Sequence, residues 1–246
     1  MGDKWLPCVW KSRKGGYDGK GVSILKTEKD FENLPDEPCI VEELIDVDKE
    51  LAVIACRNAS GQIVTYPSVE MVFDAKANLL DYQMCPSAIS KKIEKQAQNL
   101  AKNVIKKFKL CGLLAVEMFL TKDGRLLINE VAPRPHNSGH HTIEAHETSQ
   151  FEQHLRAILD MPLGSTRMRY PSVLLNLVGA EGFLGKTKVE GWKSALSTEG
   201  VHVHLYGKKT TKPFRKMGHI TVMNKSLDKA KNDALVLKNN FKIIAE

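Results

Sequence analysis

Two apolar runs, Leu113 to Thr121 and Arg125 to Ala132, flank Lys122-Asp123-Gly124, and this arrangement constrains the fold more than any other stretch of the chain. Asp-Gly between such runs is a strong hairpin turn signal. With Asp123 and Gly124 as the two loop residues, Lys122 pairs with Arg125 and, stepping outward, Glu117 stands directly across from Glu130. Opposed carboxylates destabilise a sheet, their Cβ atoms being only ~5 Å apart, so the pair calls for a cation or a shared proton. A divalent metal held by oxygen ligands is the simplest resolution. The alternative is a bulge or a different loop, which shifts the register and leaves the two glutamates solvated.

The second run leads into Pro133-Arg134-Pro135-His136-Asn137-Ser138-Gly139-His140-His141, so a carboxylate, a guanidinium and an imidazole follow one another closely. That combination suits an anion beside a metal. Four histidines here, His136, His140, His141 and His146, raise the question of zinc. Their spacing matches neither His-Glu-x-x-His nor its inverted form, so no zinc site is expected from it.

Composition narrows the function classes. The 246 residues carry a formal charge of +7, from 36 basic and 29 acidic side chains. The charges are scattered, with Lys91-Lys92 and Lys106-Lys107 in an expected helix, and no basic block is interleaved with aromatics, so a nucleic-acid surface is not expected. Cys8, Cys39, Cys56, Cys85 and Cys111 are odd in number and widely spaced, which fits free thiols in a reducing cytoplasm. No apolar run approaches the ~18 residues of a membrane span.

From the amino terminus, a strand at Pro7 to Lys11 enters the glycine-rich loop Arg13 to Gly21, and a strand follows at Val22 to Leu25. The loop matches neither a Walker A motif nor Gly-x-Gly-x-x-Gly. Its backbone amides can nevertheless approach phosphate oxygens closely, with Lys11, Arg13, Lys14 and Lys20 as nearby cations. The alternative is a purely structural turn. Strands are expected at Cys39 to Ile45, Glu50 to Arg57 and Gln62 to Val69, the first ending in carboxylates able to meet ribose hydroxyls. Helical spacing marks Ser90 to Lys109. A capping box at Ser149 to Glu152 starts a second helix expected to turn Phe151, Leu155, Ile158 and Leu159 inward. After Gly164, strands at Val173 to Val178, His202 to Tyr206 and His219 to Met223 precede a helix at Leu227 to Lys238. Tyr206-Gly207-Lys208 and Phe214 to His219 set basic groups beside glycines, either a candidate anion site or exposed turn residues.

These segments together resemble the ATP-grasp enzymes, and within them the N5-carboxyaminoimidazole ribonucleotide synthetases of purine biosynthesis, over nearly the whole chain. The resemblance implies an α+β ATP-grasp fold: one subdomain over residues 1–70, a second with the metal and bicarbonate site over 71–165, and a small β-rich domain over 166–246. It implies an ATP-dependent carbon-nitrogen ligase that carboxylates 5-aminoimidazole ribonucleotide with bicarbonate through carboxyphosphate, using magnesium, as a cytoplasmic homodimer. Carried over by position, ATP is held by Lys11, Gly16, Tyr17, Asp18, Gly19, Lys20, Gly21 and Val22. Glu42, Glu43, Leu44 and Ile45 meet adenine, Glu50 meets ribose, and Asn129 and Glu130 complete the nucleotide site. Glu117 and Glu130 hold the metal, while Arg134, His136 and Asn137 receive bicarbonate. Lys208, Arg215 and Lys216 grip the ribonucleotide phosphate.

The chain departs from the family pattern in three respects. The amino-terminal α/β domain of the family is missing, so a carboxy-terminal portion is expected. His141 stands where many relatives have tryptophan, and Phe73 where many have histidine. Two other readings stay open: a nucleotide-binding fragment without turnover, and formate-dependent glycinamide ribonucleotide formyl transfer, which shares an Arg-Pro-His segment.

Overall fold

The computed structural model describes residues 5–15, 21–74 and 79–246. Strands β1 (Cys8–Ser12), β2 (Val22–Leu25) and β3 (Cys39–Glu43) form a small antiparallel sheet in the order β2-β1-β3. One face closes over Cys8, Trp10 and Leu25, covered by Leu6, Phe31 and Leu34. The chain then enters a larger sheet through β4 (Val47–Arg57), β5 (Ile63–Thr65), β6 (Val69–Asp74) and β7 (Leu79–Cys85). Helix α1 (Lys91–Lys107) precedes the hairpin β8 (Gly112–Thr121) and β9 (Leu126–Ala132). Helices α2 (Thr142–Ala145) and α3 (Gln150–Ile158) lead to β10 (Ser172–Val178). The last segment holds β11 (Gly185–Glu190), α4 (Trp192–Leu196), β12 (Val201–Leu205), β13 (Thr210–Thr211), β14 (Lys216–Met223), α5 (Leu227–Asn240) and β15 (Lys242–Ala245).

The large sheet runs β12-β14-β10-β7-β6-β4-β8-β9, with β5 added beside β4. It therefore takes strands from each of the three segments 1–70, 71–165 and 166–246, and position 70 falls inside it. Turns and composition shifts mark where strands end, whereas the sheet a strand joins is decided by distant partners.

The two faces of β4 and β8 have different neighbours. Val53, Ala55, Leu114, Val116 and Met118 pack against Ala97, Ala101 and Ile105 of α1. Ser90 caps that helix by accepting from the Ile93 amide. Ile54, Cys56, Leu113 and Ala115 of the opposite face meet Ala157 of α3. A third core joins β7, β10 and β14 to α5 through Met84, Leu175, Ile220 and Leu237. Among the described residues no helix is long and apolar enough to cross a membrane.

Helix α3 corrects the sequence reading. Its cap is as expected, Ser149 Oγ accepting from Glu152 N at 3.2 Å, but Phe151, Leu155, Ile158 and Leu159 are exposed. The buried positions are Gln150, Gln153 and Ala157. The reason is that the two glutamines tie neighbouring backbone in place: Gln153 exchanges two 2.8 Å hydrogen bonds with Gly164. Periodicity counts apolar residues and is blind to amides used as buried anchors.

Gln153→Ala is therefore expected to destabilise the chain by about 1–3 kcal/mol through orphaned backbone groups, while Leu155→Ala changes stability by no more than ~0.5 kcal/mol. Urea denaturation of both variants checks this, and the opposite ranking would restore the inward stripe.

Candidate active site

The hairpin reaches the expected opposition by an unexpected route. Its loop has three residues, Lys122, Asp123 and Gly124, because Thr121 N donates to Arg125 O at 3.0 Å. Gly124 takes φ +84°, a conformation that glycine reaches without a Cβ penalty. Asp123 secures the loop by accepting from Thr121 Oγ1 and from Arg125 Nε. Lys122 thus does not pair with Arg125. Leu120 pairs with Leu126 and Met118 with Ile128, each one residue away from the expected partner. A bulge then inserts Asn129, and Glu117 pairs with Glu130 after all. The extra residue returns Glu130 to the face it would otherwise have left.

Glu50 joins this face, since β4 sets it beside Phe119 and sets Ala52 beside Glu117. Burial and then the Glu130 charge push the Glu117 carboxyl up to about 7, with Glu50 adding to the shift and Lys216 and Arg134 opposing it. Glu50 is raised as well, by burial and then by Glu130. Glu50, Glu117 and Glu130 thus form an oxygen donor set in which burial and like charge outweigh the Lys216 and Arg134 charges acting on Glu117. Such an oxygen donor set fits magnesium, with Glu117 and Glu130 as its ligands and Asn129 beside them.

Lys11 connects the small sheet to this cluster. Its Nζ lies 2.6 Å from Glu42 Oε2 and donates to Asn129 Oδ1 at 2.9 Å. Pairing places Val9, Lys11, Val22, Ile24, Ile40 and Glu42 on one face. Val22, Ile24 and Ile40 are 41–55% exposed, so an apolar shelf lies open beside the lysine. Glu43 pairs with Cys8 and takes the other face; Leu44 and Ile45 follow, half-buried. Gly21 closes the loop by accepting from Ser12 N at 2.8 Å. Gly16, Tyr17, Asp18, Gly19 and Lys20 lie outside the described residues.

On the other side of Glu117 stands the Arg134 to Asn137 segment. His136 Nε2 is 3.4 Å from Glu117 Oε1, and its Nδ1 is 2.9 Å from Ser138 Oγ. Gln150 holds the His136 backbone from both sides, accepting from its amide at 2.9 Å and donating to its carbonyl at 2.8 Å. A Cβ at Gly139 would stand 2.5 Å from Gln150 Oε1, so glycine there keeps this clamp closed. Arg134 is exposed, and the Asn137 side-chain nitrogen is buried with no hydrogen-bond partner among the described residues.

The carboxy-terminal segment supplies the cations. Lys216 of β14 is near enough to act on both Glu117 and His140. Burial, then the charges of His204, Lys216 and Arg134, hold the His140 imidazole down at about 4. Lys208 Nζ donates to the Lys216 carbonyl at 2.5 Å and lies over the Tyr206 ring. Arg215 instead reaches Thr210, donating to its carbonyl at 2.8 Å. Of the three basic residues expected at a phosphate, Lys216 comes nearest the carboxylates.

The structure adds residues that the sequence did not single out. Val9, Ile24 and Ile40 read only as strand; Gln150 read only as part of a cap. His140, His219 and His204 stack at 5.0 and 4.4 Å between ring centroids, with His204 Nε2 2.6 Å from Glu144 Oε1. Nothing in local spacing links those positions.

Residues 4–151 match the ATP-grasp domain, and residues 172–233 match the phosphoribosylaminoimidazole carboxylase C-terminal domain. The chain is 43% identical to the N5-carboxyaminoimidazole ribonucleotide synthase of Bacillus subtilis, over 91% of this chain and 58% of that protein. It superposes on the crystal structure of N5-carboxyaminoimidazole ribonucleotide synthetase from Thermotoga maritima with a TM-score of 0.91 and 46% identity, covering 98% of this chain and 63% of that one. A synthase from Aspergillus clavatus, in complex with ADP and 5-aminoimidazole ribonucleotide, gives a TM-score of 0.84 at 34% identity, covering 95% and 62%. The chain thus spans about three fifths of the length of these relatives.

The Glu117 shift has a signed consequence. Its pKa lies above the ordinary 4.5, so the folded chain binds the extra proton, and stability is lost as pH rises from about 4.5 to about 7. Glu117→Gln is expected to recover roughly 3 kcal/mol above that window and nothing below it, at the cost of magnesium-nucleotide binding. Parallel denaturation and nucleotide titrations of the two proteins at several pH values measure both effects.

Proposed function

Because the chain belongs to the ATP-grasp family, we propose that it carries the ATP and bicarbonate chemistry of a ligase that converts 5-aminoimidazole ribonucleotide to its N5-carboxylated form. The observation that carries this reading is the 3.4 Å approach of His136 Nε2 to Glu117 Oε1, which joins a nucleotide half to an anion half. Lys11 and the amides of the glycine-rich loop hold the ATP phosphates. The shelf of Val9, Val22, Ile24 and Ile40 takes the adenine face, the backbone of Glu42 to Ile45 its edge, and Glu50 the ribose. Glu117 and Glu130 would hold magnesium, which when bound would supply positive charge to the phosphates.

Bicarbonate is a planar anion, and the planar fork of Arg134 can bind two of its oxygens at once. His136, fixed by Gln150 and Ser138, and Asn137, whose amide nitrogen is otherwise unsatisfied, complete its seat. A bicarbonate oxygen attacks the γ-phosphorus, ADP leaves, and carboxyphosphate forms. Joining two anions needs alignment and charge neutralisation more than covalent help, which is what Arg134, Lys11 and Lys216 provide. Carboxyphosphate then breaks into carbon dioxide and phosphate, and the amine of the ribonucleotide captures the carbon dioxide. Lys208, Arg215 and Lys216 hold the ribonucleotide phosphate at the carboxy-terminal side of the same cleft. The bound ligands of the Aspergillus clavatus relative support this choice of substrates.

Phosphate release from ATP is expected to require both bicarbonate and 5-aminoimidazole ribonucleotide. Nucleotide binding with no release in any arm would contradict turnover, and release with formate and glycinamide ribonucleotide in their place would overturn the substrate assignment. Arg134→Lys keeps the charge but loses the fork; we expect kcat/KM for bicarbonate to fall roughly tenfold or more with ATP affinity preserved. An equal loss for both substrates would remove Arg134 from the bicarbonate seat.

A further inference from the structure

Behind the anion-binding segment, three potential metal ligands converge from distant parts of the chain. Cys85 ends β7, while His141 and His146 flank α2, and each is only 1% exposed. One ligand atom from each lies within 4.8 Å of the other two. Hydrogen bonding does not account for the two rings. Among the described residues, neither nitrogen of His146 has a partner, and His141 Nε2 has none. The Nδ1 side of His141 is occupied, with Gln83 Nε2 at 3.2 Å and the Ser138 carbonyl as hydrogen-bond partner of the ring. Gln83 Oε1 is likewise buried without a partner among the described residues.

From this geometry we infer that Cys85, His141 and His146 bind a zinc ion that fastens the Arg134 to His140 segment to β7. One thiolate and two neutral imidazoles are a zinc donor set, and a water completes four-coordination. An imidazole whose far nitrogen is engaged by backbone is in the usual orientation of a ligating histidine. Charge is also accommodated: binding takes the Cys85 thiol to the thiolate and releases one proton to solvent. The Glu94 carboxylate, close enough to act on Cys85, offsets the remaining positive charge. Ligation by His141 Nε2 and one nitrogen of His146 satisfies two of the three orphaned imidazole nitrogens, which gives the ion a stabilising role in this core.

The site is separate from the carboxylates of Glu117 and Glu130, and its ligand chemistry is different. Histidine spacing alone could not reveal it, because the third ligand lies more than fifty residues earlier in the chain. It uses two histidines to which the proposed reaction assigns no role. The ion's effect on the reaction is to position, through the turn that ends at His141, the backbone carrying Arg134, His136 and Asn137.

The full chain, stripped with a chelator and dialysed, is to be titrated with zinc and with cobalt(II) as a spectroscopic substitute. The expected result is about one ion per chain, a thiolate-to-cobalt charge-transfer band, and release of one proton. Cys85→Ala should abolish the band and weaken zinc binding more than about a hundredfold, and His141→Trp should weaken it likewise. Glu117→Gln should retain the ion. Absence of stoichiometric zinc, or a cobalt spectrum unchanged in folded Cys85→Ala, overturns the inference. Should Cys85→Ala fail to fold, X-ray absorption of the zinc-loaded unaltered chain decides: one sulfur and two imidazoles support the site, and a shell of oxygen and nitrogen alone overturns it.

Discussion

Glu117 and Glu130 face each other across two strands of one hairpin, and the rest of the site is arranged around the repulsion this creates. Like charges directly opposed on a sheet oppose folding, and the burial of Glu117 makes the opposition stronger. The chain tolerates it because the surrounding core is extensive: α1 fills one face of β4 and β8, and α3 fills much of the other. The stability that these cores provide holds the carboxylates together before any ligand arrives. A cation and an anionic substrate then find a site already organised, with Lys11 on one side and Arg134 and Lys216 on the other.

The same constraint explains why three regions of the chain are needed. Lys11 comes from the small sheet, Glu50, Glu117 and Glu130 come from adjacent strands of the large one, and Lys216 comes from β14 on the far side of β10. Backbone supports set the angles between them. Gln150 of α3 holds His136 in place, and Gln83 of β7 donates to the Ser138 carbonyl at 3.0 Å. These two amides are buried and outside the chemistry, yet they fix where the reactive segment lies. Sub-ångström placement of that kind separates a positioned anion site from a merely charged one.

Much of this was legible from residue order, though unevenly. The Asp-Gly turn announced the hairpin, and the opposed glutamates followed from it. The expected two-residue loop was wrong by one position, and the bulge at Asn129 restored the pairing, so the right contact came through compensating shifts. Glycine allows both loop lengths, and only the Thr121 to Arg125 hydrogen bond distinguishes them. Helical spacing located α1 within two residues at each end, and the capping box located the start of α3. The buried face of α3 was not legible, because Gln150 and Gln153 bury amides where the apolar count predicted Phe151 and Leu155. Basic residues near Gly207 and Gly218 left a candidate anion site and exposed turn residues both open, and only the fold brings the Lys216 charge to act on Glu117. The convergence of Cys85 with His141 and His146 left no local trace at all.

A preformed cation site at Glu117 and Glu130 requires their repulsion to persist until metal and nucleotide bind. Titration of the Glu117 side-chain carboxyl by carbon NMR tests it most directly, first on the unliganded chain and then with magnesium and ADP. The expected midpoint is about 7 without ligand and falls below the ordinary carboxylate range once the cation is bound. An ordinary midpoint in the unliganded chain, or one that magnesium and ADP leave unmoved, would contradict it.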